Sequence, residues 1–492
     1  MSNDEELDDI VSKFSNLARQ QQDVLLKQLL LKCKPCQLQM LYSDTRQLLA
    51  VDFVPFVPHE IVDRIFSYLT PRELSRAACC NSQWRERANS DSLWKSLCRR
   101  KQWLHFGEGS SQPQELFNPT PVTVVPNSPI TSPTFHPVEI TCKDFAPICK
   151  WKDIYIRASH LHKNWATGRY VVLPPMRGHK DRITCLDCCG NILVSGSDDR
   201  VVVIWDLVTC DALHVFQHHA DAVTCVKMKN NLLLTASVDG MIRVYNISTG
   251  KCLGQLYQDN VDPSAVRHLY FDGTKAVSGH DDRVIRIWNV ISGRCMFTLT
   301  GHTDELVSMV CDGKYCVTSS WDETIKVWDV EYGRSVHTLL GHTEVVHCCK
   351  FNEQYVVSGG GDKVIKIWHM GNGECSHTLF GHTDDVYCVD FNEEFVTSGS
   401  ADSTVRIWSW LGICLHVLKE HIGVVRTLKL RRDMLISSGD QKKIIVWDVG
   451  KGKLLNVVHR NPTLVHTIVV DDIKIIAASP EAPGLVTVLS YW

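Results

Sequence analysis

The sequence predicts a multidomain protein, with an all-α N-terminal part followed by a larger all-β part. From residue 178 onward a unit of about 40 residues recurs. The first 100 residues show no such period, and their apolar residues are spaced as in helices. The chain of 492 residues is also too long for one small core, so at least two folded units are expected.

Six of the repeated units begin with a Gly-His or related pair, and seven end in a β-branched strand that closes on an aromatic residue. The closing residues are 40, 43, 40, 40, 40 and 39 residues apart. Between them, apolar segments alternate with turns such as SGSDD and SSWDE, the pattern of short antiparallel strands. The units resemble WD repeats, which build a β-propeller. The closing residues are Trp205, Tyr245, Trp288, Trp328, Trp368, Trp408 and Trp447.

Recurring polar residues have a structural explanation. Buried His, Ser or Thr, Asp and Trp side chains satisfy one another's hydrogen-bonding groups, and in the fourth unit we expect this of His302, Thr318, Asp322 and Trp328. The same sets look like hydrolase triads, but a site repeated in nearly every unit is architecture. We therefore predict no catalytic residue.

Eight blades are predicted, with seven as the alternative. After Trp447 the chain supplies an outer strand near 453–459 and three more candidate strands near 464–470, 473–478 and 485–491. These make an eighth blade without its fourth strand. A spare strand at 169–173 precedes the first Gly-His pair and would close the ring, so the propeller is expected to span 169–492.

Residues 52–98 predict three short helices, since apolar residues stand at helical spacing and prolines stand at two helix starts. The segment resembles an F-box in Val57-Pro58, in Tyr68-Leu69 before Pro71, in Ser82-x-Trp84 and in Asp91-x-Leu93-Trp94. A generic three-helix bundle is the alternative.

The F-box resemblance implies binding to the Skp adaptor and, through it, to a cullin and a RING protein. About 45 residues cannot hide all the apolar side chains of this segment in their own core, so a partner surface is physically reasonable. The adaptor-binding residues expected from the resemblance are Val57, Pro58, Ile61, Ile65, Leu69 and Leu74.

The segments on either side of the F-box are expected to be helical or disordered. Residues 5–51 read as amphipathic helices that form a homodimer or pack back on the F-box. In 99–168, a stretch at 107–147 with eight prolines predicts a disordered insertion, followed by a helical linker at 151–168. The insertion contains Thr120, Ser128 and Ser132 before prolines, a weak signal for phosphorylation.

Composition excludes several classes of function. A formal charge of −3, from 52 Lys+Arg and 55 Asp+Glu, argues against a nucleic-acid or membrane partner. The N-terminal residues resemble neither a signal peptide nor an anchor, and the 21 cysteines are expected to be reduced, in the cytoplasm or nucleus. Cys33 and Cys36 form a CxxC without a second pair, so neither a metal nor a cofactor is expected.

Together, the two parts resemble the F-box/WD-repeat family. Eight blades resemble the archipelago/cell-division-control type more than the seven-bladed β-TrCP type. The resemblance implies a non-catalytic substrate receptor of an SCF ubiquitin ligase, in which the propeller holds a protein substrate's degron. A scaffold protein outside any ligase is the alternative.

Substrate binding is expected on the propeller face that carries the starts of the inner strands. Relatives of the archipelago type read a phosphorylated degron with an arginine cluster from blades three and four. Arg267 occupies one of these positions, but Asp281 and Val307 occupy the other two, so we expect a basic or apolar degron residue to dock here. The predicted residues are Arg182, Asp198, Arg267, Asp281, Glu305, Trp321, His347, Tyr387 and Arg426.

Overall fold

The described residues divide into two compact units, one formed by those up to 106 together with 149–155 and the other by those from 156 to 491. The predicted proline-rich insertion, with Thr120, Ser128 and Ser132, lies outside the described residues. In the part that is described, no helix is long and apolar enough to cross a membrane. The computed structural model describes residues 12–14, 16–40, 52, 54, 56–106, 149–256, 258, 263–440, 443–458, 467–479 and 484–491.

The first unit is helical, as predicted, but the segment that resembles an F-box contains four short helices rather than the predicted three. Its helices α2 to α5 lie in the segment that resembles an F-box, and a 3-10 turn at Leu104–Phe106 follows them. A further helix, α6, begins in the first unit and ends in the second. The helices are α1 Arg19–Lys32, α2 His59–Phe66, α3 Pro71–Ala77, α4 Ser82–Ala88, α5 Asp91–Arg100 and α6 Lys150–Thr167.

Local sequence explains where the short helices begin. Pro58 precedes α2, and Pro71 is the first residue of α3, where a missing N–H costs nothing. Thr70 and Glu73 form a capping box, with the Thr70 backbone N–H donating to Glu73 Oε2 over 2.7 Å. Asn81 caps α4 by accepting a hydrogen bond from the Trp84 N–H.

Aromatic contacts hold each end of α6 within its own unit. In the first unit, the Tyr155 ring lies 5.3 Å from Trp94 and 5.1 Å from Trp103. In the second unit, the Trp165 ring stacks on Tyr491 at 3.7 Å, and its indole N–H donates to a backbone carbonyl 3.0 Å away. The helix therefore packs through both of its halves.

The second unit is a β-propeller of eight antiparallel sheets, which confirms the predicted eight blades. In blades one to seven the four strands pair in chain order, and the first strands of neighbouring blades contact each other around the ring. The strands of blades one to four are Ile183–Cys189, Ile192–Ser197, Val202–Asp206 and Ala212–Phe216; Val223–Lys229, Leu232–Ser237, Ile242–Asn246 and Cys252–Leu256; Val266–Phe271, Lys275–His280, Ile285–Asn289 and Arg294–Leu299; Leu306–Cys311, Tyr315–Ser320, Ile325–Asp329 and Arg334–Leu339.

Blades five to seven repeat the same four-stranded pattern, and the eighth adds strands from the other end of the repeat region. The strands of blades five to eight are Val346–Phe351, Tyr355–Gly360, Ile365–His369 and Cys375–Leu379; Val386–Phe391, Phe395–Ser400, Val405–Ser409 and Cys414–Leu418; Val425–Arg431, Met434–Gly439, Ile444–Asp448 and Lys453–Val458; Thr467–Val470, Lys474–Ser479 and Leu485–Ser490, with Val171–Val172 and Met176–Arg177.

The ring closes in blade eight, where the predicted spare strand pairs with Leu485–Ser490. Val172 lies opposite Leu489, and Met176 lies opposite Val486. The closing strand lies at 171–172 and 176–177 rather than at 169–173. It is interrupted because the prolines at 174 and 175 have no N–H to donate. The backbone of Leu173 still donates to Val488 O over 3.0 Å.

Buried hydrogen bonds tie the strands of blades one to seven together, as the recurring polar residues predict. In blade four, Thr318 Oγ1 accepts from the Trp328 indole N–H and lies 2.8 Å from His302 Nε2. His302 Nδ1 lies 2.8 Å from Asp322. Burial lowers the pKa of His302. Burial alone would raise the pKa of Asp322, but hydrogen bonds from Thr324 and His302 hold that pKa below its usual value.

Blade three reaches the same arrangement by a route that the sequence pattern missed. It has no Gly-His pair, and His280 on its own second strand takes the place of the missing histidine. His280 Nε2 lies 2.8 Å from Ser278 Oγ, which also accepts from the Trp288 indole N–H over 2.7 Å. Burial lowers the pKa of His280 to about 4, so the ring is neutral at neutral pH.

Removing the Ser278 hydroxyl tests whether His280 takes the role of the missing histidine in blade three. Ser278→Ala leaves the indole of Trp288 and the ring of His280 without their common partner, so we expect a loss of about 1–3 kcal/mol in the free energy of unfolding, as for Ser358→Ala in blade five. Urea unfolding of the full chain measures this loss, with the exposed Ser335→Ala as the matched control. Equal midpoints for Ser278→Ala and Ser335→Ala would contradict the assigned role of His280.

Candidate protein-binding surfaces

The helices α2 to α5 leave apolar side chains uncovered. Ile61 and Ile65 on α2 are 50% and 41% exposed, although both are β-branched apolar residues. Because residues four apart lie on the same face of a helix, the two side chains form an exposed apolar patch. Patches of this kind mark protein–protein interaction sites. Of the other predicted adaptor residues, Pro58 is exposed, while Val57 and Leu69 are half-buried.

One predicted adaptor residue lies inside the F-box. Leu74 is only 1% exposed and belongs to the core with Val62 and Phe66. It can affect the adaptor-binding surface only by supporting the residues that are exposed there. Two exposed aromatic residues, Phe56 and Tyr68, were not among the predicted adaptor residues, although Phe56 directly precedes the Val57-Pro58 pair that carried the resemblance.

On the propeller, one recurrent backbone hydrogen bond defines the face on which binding was predicted. In seven blades, the residue that follows the second strand donates its N–H to the carbonyl of the residue that precedes the first strand. We call the surface formed by these residues and their neighbours the top face. The donor and acceptor residues are Asp198 and Arg182, Val238 and Ala222, Asp281 and Ala265, Trp321 and Glu305, Gly361 and Val345, Ala401 and Asp385, and Asp440 and Val424.

Three ion pairs lie on the top face, each within one blade. In blade three, Arg267 Nε and Nη2 donate to the two oxygens of Asp281 over 2.7 and 2.9 Å, a bidentate pair. In blade one, Arg182 Nε lies 3.0 Å from Asp198. Hydrogen bonding by Asp281 raises the pKa of Arg267, so this guanidinium stays charged.

The third pair was not fully predicted. In blade seven, Arg426 Nε donates to Asp440 over 2.5 Å, and its guanidinium carbon lies 5.7 Å from the centroid of the Tyr387 ring. Asp440 was missed, although it follows the second strand just as Asp198 and Asp281 do in their blades. Aligning the turns that follow the second strands of the repeats, in addition to the strands, would have identified Asp440.

Blades four to six place acidic and aromatic groups on the same face. Trp321 is 53% exposed and follows the second strand of blade four, beside Glu305. In blades five and six, His347 stacks on Tyr387 at 4.7 Å and lies 3.4 Å from a carboxylate oxygen of Asp385. The structure therefore brings all nine predicted substrate residues to the top face, while their binding role stays a prediction.

The repeated His/Ser/Asp sets cannot reach a substrate. His302 is 7% exposed and Thr318 is fully buried, and the other blades with a Gly-His pair bury the same positions. Across the residues that the structure describes, no three His, Cys, Asp or Glu side chains are grouped to hold a metal ion. These sets belong to the fold rather than to a site.

Comparisons with known proteins agree with this division of the chain. A model of the F-box-like family matches residues 54–100. A model of the WD domain, G-beta repeat, matches 171–206, 210–246, 250–289, 293–329, 333–369 and 373–409. The structure adds two blades to these six repeats, one after residue 409 and one built from both ends of the propeller.

One of the curated relatives is named for the same two parts. The F-box/WD repeat-containing protein 7 of Drosophila melanogaster is 30% identical over 204 residues, which cover 41% of this chain and 14% of that protein. The probable E3 ubiquitin ligase complex SCF subunit sconB of Talaromyces marneffei is 27% identical over 241 residues, covering 41% of this chain and 36% of that protein. The chain thus spans well under half the length of these relatives.

A solved structure shows the same architecture in the propeller. The crystal structure of the computationally designed Ika8 protein has a TM-score of 0.59 and 29% sequence identity with this chain. It covers 64% of this chain, and the match covers 97% of the designed protein. With an F-box-like domain matched at 54–100 and WD repeats in the eight-bladed propeller that follows, the chain belongs to the F-box/WD-repeat family.

Proposed function

We propose that this chain is the substrate-recognition subunit of an SCF (cullin-RING) ubiquitin ligase. One observation carries the proposal: an F-box-like domain with exposed Ile61 and Ile65 and a complete propeller occur on one chain. The sconB relatives are described as probable subunits of such a complex. The F-box binds the Skp adaptor, which connects to a cullin and a RING protein.

In this role the chain supplies no reacting group. The propeller binds a degron on its top face, and a ubiquitin-conjugating enzyme carried by the rest of the complex modifies a lysine of the bound substrate. Holding the two reactants together converts a bimolecular step into an effectively unimolecular one. The buried state of the His/Ser/Asp sets supports a non-catalytic subunit.

Adaptor binding is tested by reversing the polarity of the exposed F-box residues. Burial of one isoleucine side chain contributes about 1.5–3 kcal/mol, so Ile61→Asp/Ile65→Asp is expected to abolish co-purification of Skp and cullin with the full chain. These two positions suit the test better than Leu74, whose replacement would disrupt the F-box core.

Leu213→Asp/Val215→Asp is the matched control, because it places the same two charges on exposed apolar positions of a propeller strand. Its adaptor binding is expected to equal that of the unmodified chain. If Skp and cullin are absent from the unmodified chain as well, the ligase proposal is wrong and a scaffold role becomes the better account.

We further propose that α1 contributes to a homodimer. Leu25, Leu26, Leu29 and Leu31 are exposed within the monomer, although a helix of this length is marginal in water unless another surface packs on it. The alternative, packing back on the F-box, would require these leucines to be buried.

The mass of the purified chain in light scattering tests the homodimer. The unmodified chain is expected to have twice the mass of Leu26→Lys/Leu29→Lys, since two lysines prevent burial of this helix face. Gln21→Lys/Gln28→Lys adds the same charge to the same helix and should remain dimeric. A monomeric mass for the unmodified chain would refute the dimer and leave the ligase proposal intact.

A further inference from the structure

The arginine on the third strand of blade six lacks a hydrogen-bond acceptor within the described part of the chain. The Nε–H of Arg406 is buried and meets no acceptor there. Its guanidinium carbon lies 5.9 Å from the centroid of the Trp408 ring, and a Cβ atom at Gly381 would lie 2.5 Å from its Nη1. A buried donor without a partner costs free energy, so this side chain is poorly satisfied by its own blade.

In the other blades that have a basic residue at this position, the cation has a partner. Two of these residues are lysines that donate to the threonine opposite them on the fourth strand. The other two are arginines that donate to the aspartate four residues earlier. The pairs are Lys326 and Thr338, Lys366 and Thr378, Arg243 and Asp239, and Arg286 and Asp282.

Blade six has neither kind of pairing. Val417 lies opposite Arg406, where blades four and five have threonine. The oxygens of Asp402, four residues before the arginine, are occupied by His382 at 2.8 Å and by Thr404 at 2.6 Å. The guanidinium is partly exposed, so an acceptor from outside the chain can reach its terminal nitrogens.

The outer strand beside this arginine is an apolar edge. Ile413, Leu415 and Val417 are exposed, and residues 411–418 include no Asp, Glu, Lys or Arg. Cys414–Leu418 is the last strand of its sheet, so one row of its backbone groups is left for a further strand. Natural edge strands discourage such pairing with charged residues. The outer strands of blades three, four and seven follow this rule, since they begin with Arg294, Arg334 and Lys453.

We propose that the outer edge of blade six, formed by Arg406 and Cys414–Leu418, binds an extended segment of a partner protein in which an acidic residue is flanked by apolar residues. The segment pairs with Cys414–Leu418 as a fifth strand, and its apolar side chains cover Leu415 and Val417. Its carboxylate accepts hydrogen bonds from Arg406. Two strand spacings, about 10 Å, separate the Arg406 backbone from the added strand, a distance that arginine and glutamate side chains together span.

Peptides displayed on phage test the proposal, selected on the full chain after depletion on Leu415→Asp/Val417→Asp, in which the apolar edge is charged. Selected peptides are expected to carry Asp or Glu between apolar residues. A synthetic peptide of the selected sequence should bind Arg406→Gln at least about tenfold more weakly than it binds the unmodified chain. This difference should vanish when the acidic residue of the peptide is replaced by its amide.

Blade one offers a matched control. Its outer strand also exposes two apolar residues, Leu213 and Val215, but Val203 stands where blade six has Arg406. Leu213→Asp/Val215→Asp should therefore bind the selected peptide as the unmodified chain does. Hydrogen exchange with the peptide bound should slow in Cys414–Leu418 and stay unchanged in the outer strand of blade one.

Urea unfolding of the free chain tests the state of the arginine without any ligand. Arg406→Met keeps an apolar contact with Trp408 and removes the unpartnered donor, so the urea midpoint should rise. Arg243→Met removes a donor that is paired with Asp239, so its midpoint should fall.

Selection of basic peptides, an equal loss of binding in the blade-one variant, or a loss in Arg406→Gln that persists with the amide peptide would each overturn the inference. Recovery of no peptide after depletion would also overturn it, as would a urea midpoint for Arg406→Met that falls as far as that of Arg243→Met. Adaptor binding is measured separately, so none of these results affects the ligase proposal.

Discussion

Strand pairing between the two ends of the propeller is the constraint on which the rest of the second unit depends. Leu485–Ser490 receives its outer partners from residues 171–177, more than 300 residues earlier in the chain. Without this pairing, blade eight would expose an open strand edge. The closed ring holds the first strands of all blades side by side, so residues that start these strands meet on one face. The top face therefore depends on closure of the propeller ring.

In blades one and four to seven, a buried hydroxyl stabilises the blade locally. The hydroxyl binds a histidine from the loop before the first strand and a tryptophan from the third strand, and this fixes the loop on the blade. Because these blades share one framework, their top-face residues can vary without changing the fold. Trp321 and Gly361 occupy equivalent positions and offer a partner opposite shapes. Specificity thus depends on the residues that the repeat does not prescribe.

Much of the fold could be predicted because its stabilising interactions recur in the sequence. The spacing of the closing aromatic residues predicts the blades, and the spare strand before the first repeat predicts the closure. His280 escaped prediction because it lies on the second strand of blade three, whereas the histidine with the same role in the other blades lies in the loop before the first strand. A sequence repeat predicts which positions of a blade are equivalent, whereas the structure shows which side chain fills the buried site.

The candidate surfaces were predicted only in part, since pairing and burial are properties of tertiary structure. The sequence placed Arg267 and Asp281 on one face, but their bidentate contact and the partner of Arg426, Asp440, required the coordinates. Leu74 follows the helical spacing of its apolar neighbours, yet it lies in the F-box core. A residue's membership of a pattern thus predicts its element better than its exposure.

The central claim is that the two ends of the propeller close one ring, and Leu173→Pro tests it most directly. This change removes the N–H that donates to Val488 O, whereas the control Leu173→Ala keeps it. Hydrogen exchange of the full chain is expected to accelerate in Lys474–Ser479 and Leu485–Ser490 for Leu173→Pro relative to Leu173→Ala. Equal exchange of these strands in the two variants would contradict closure by the N-terminal strand.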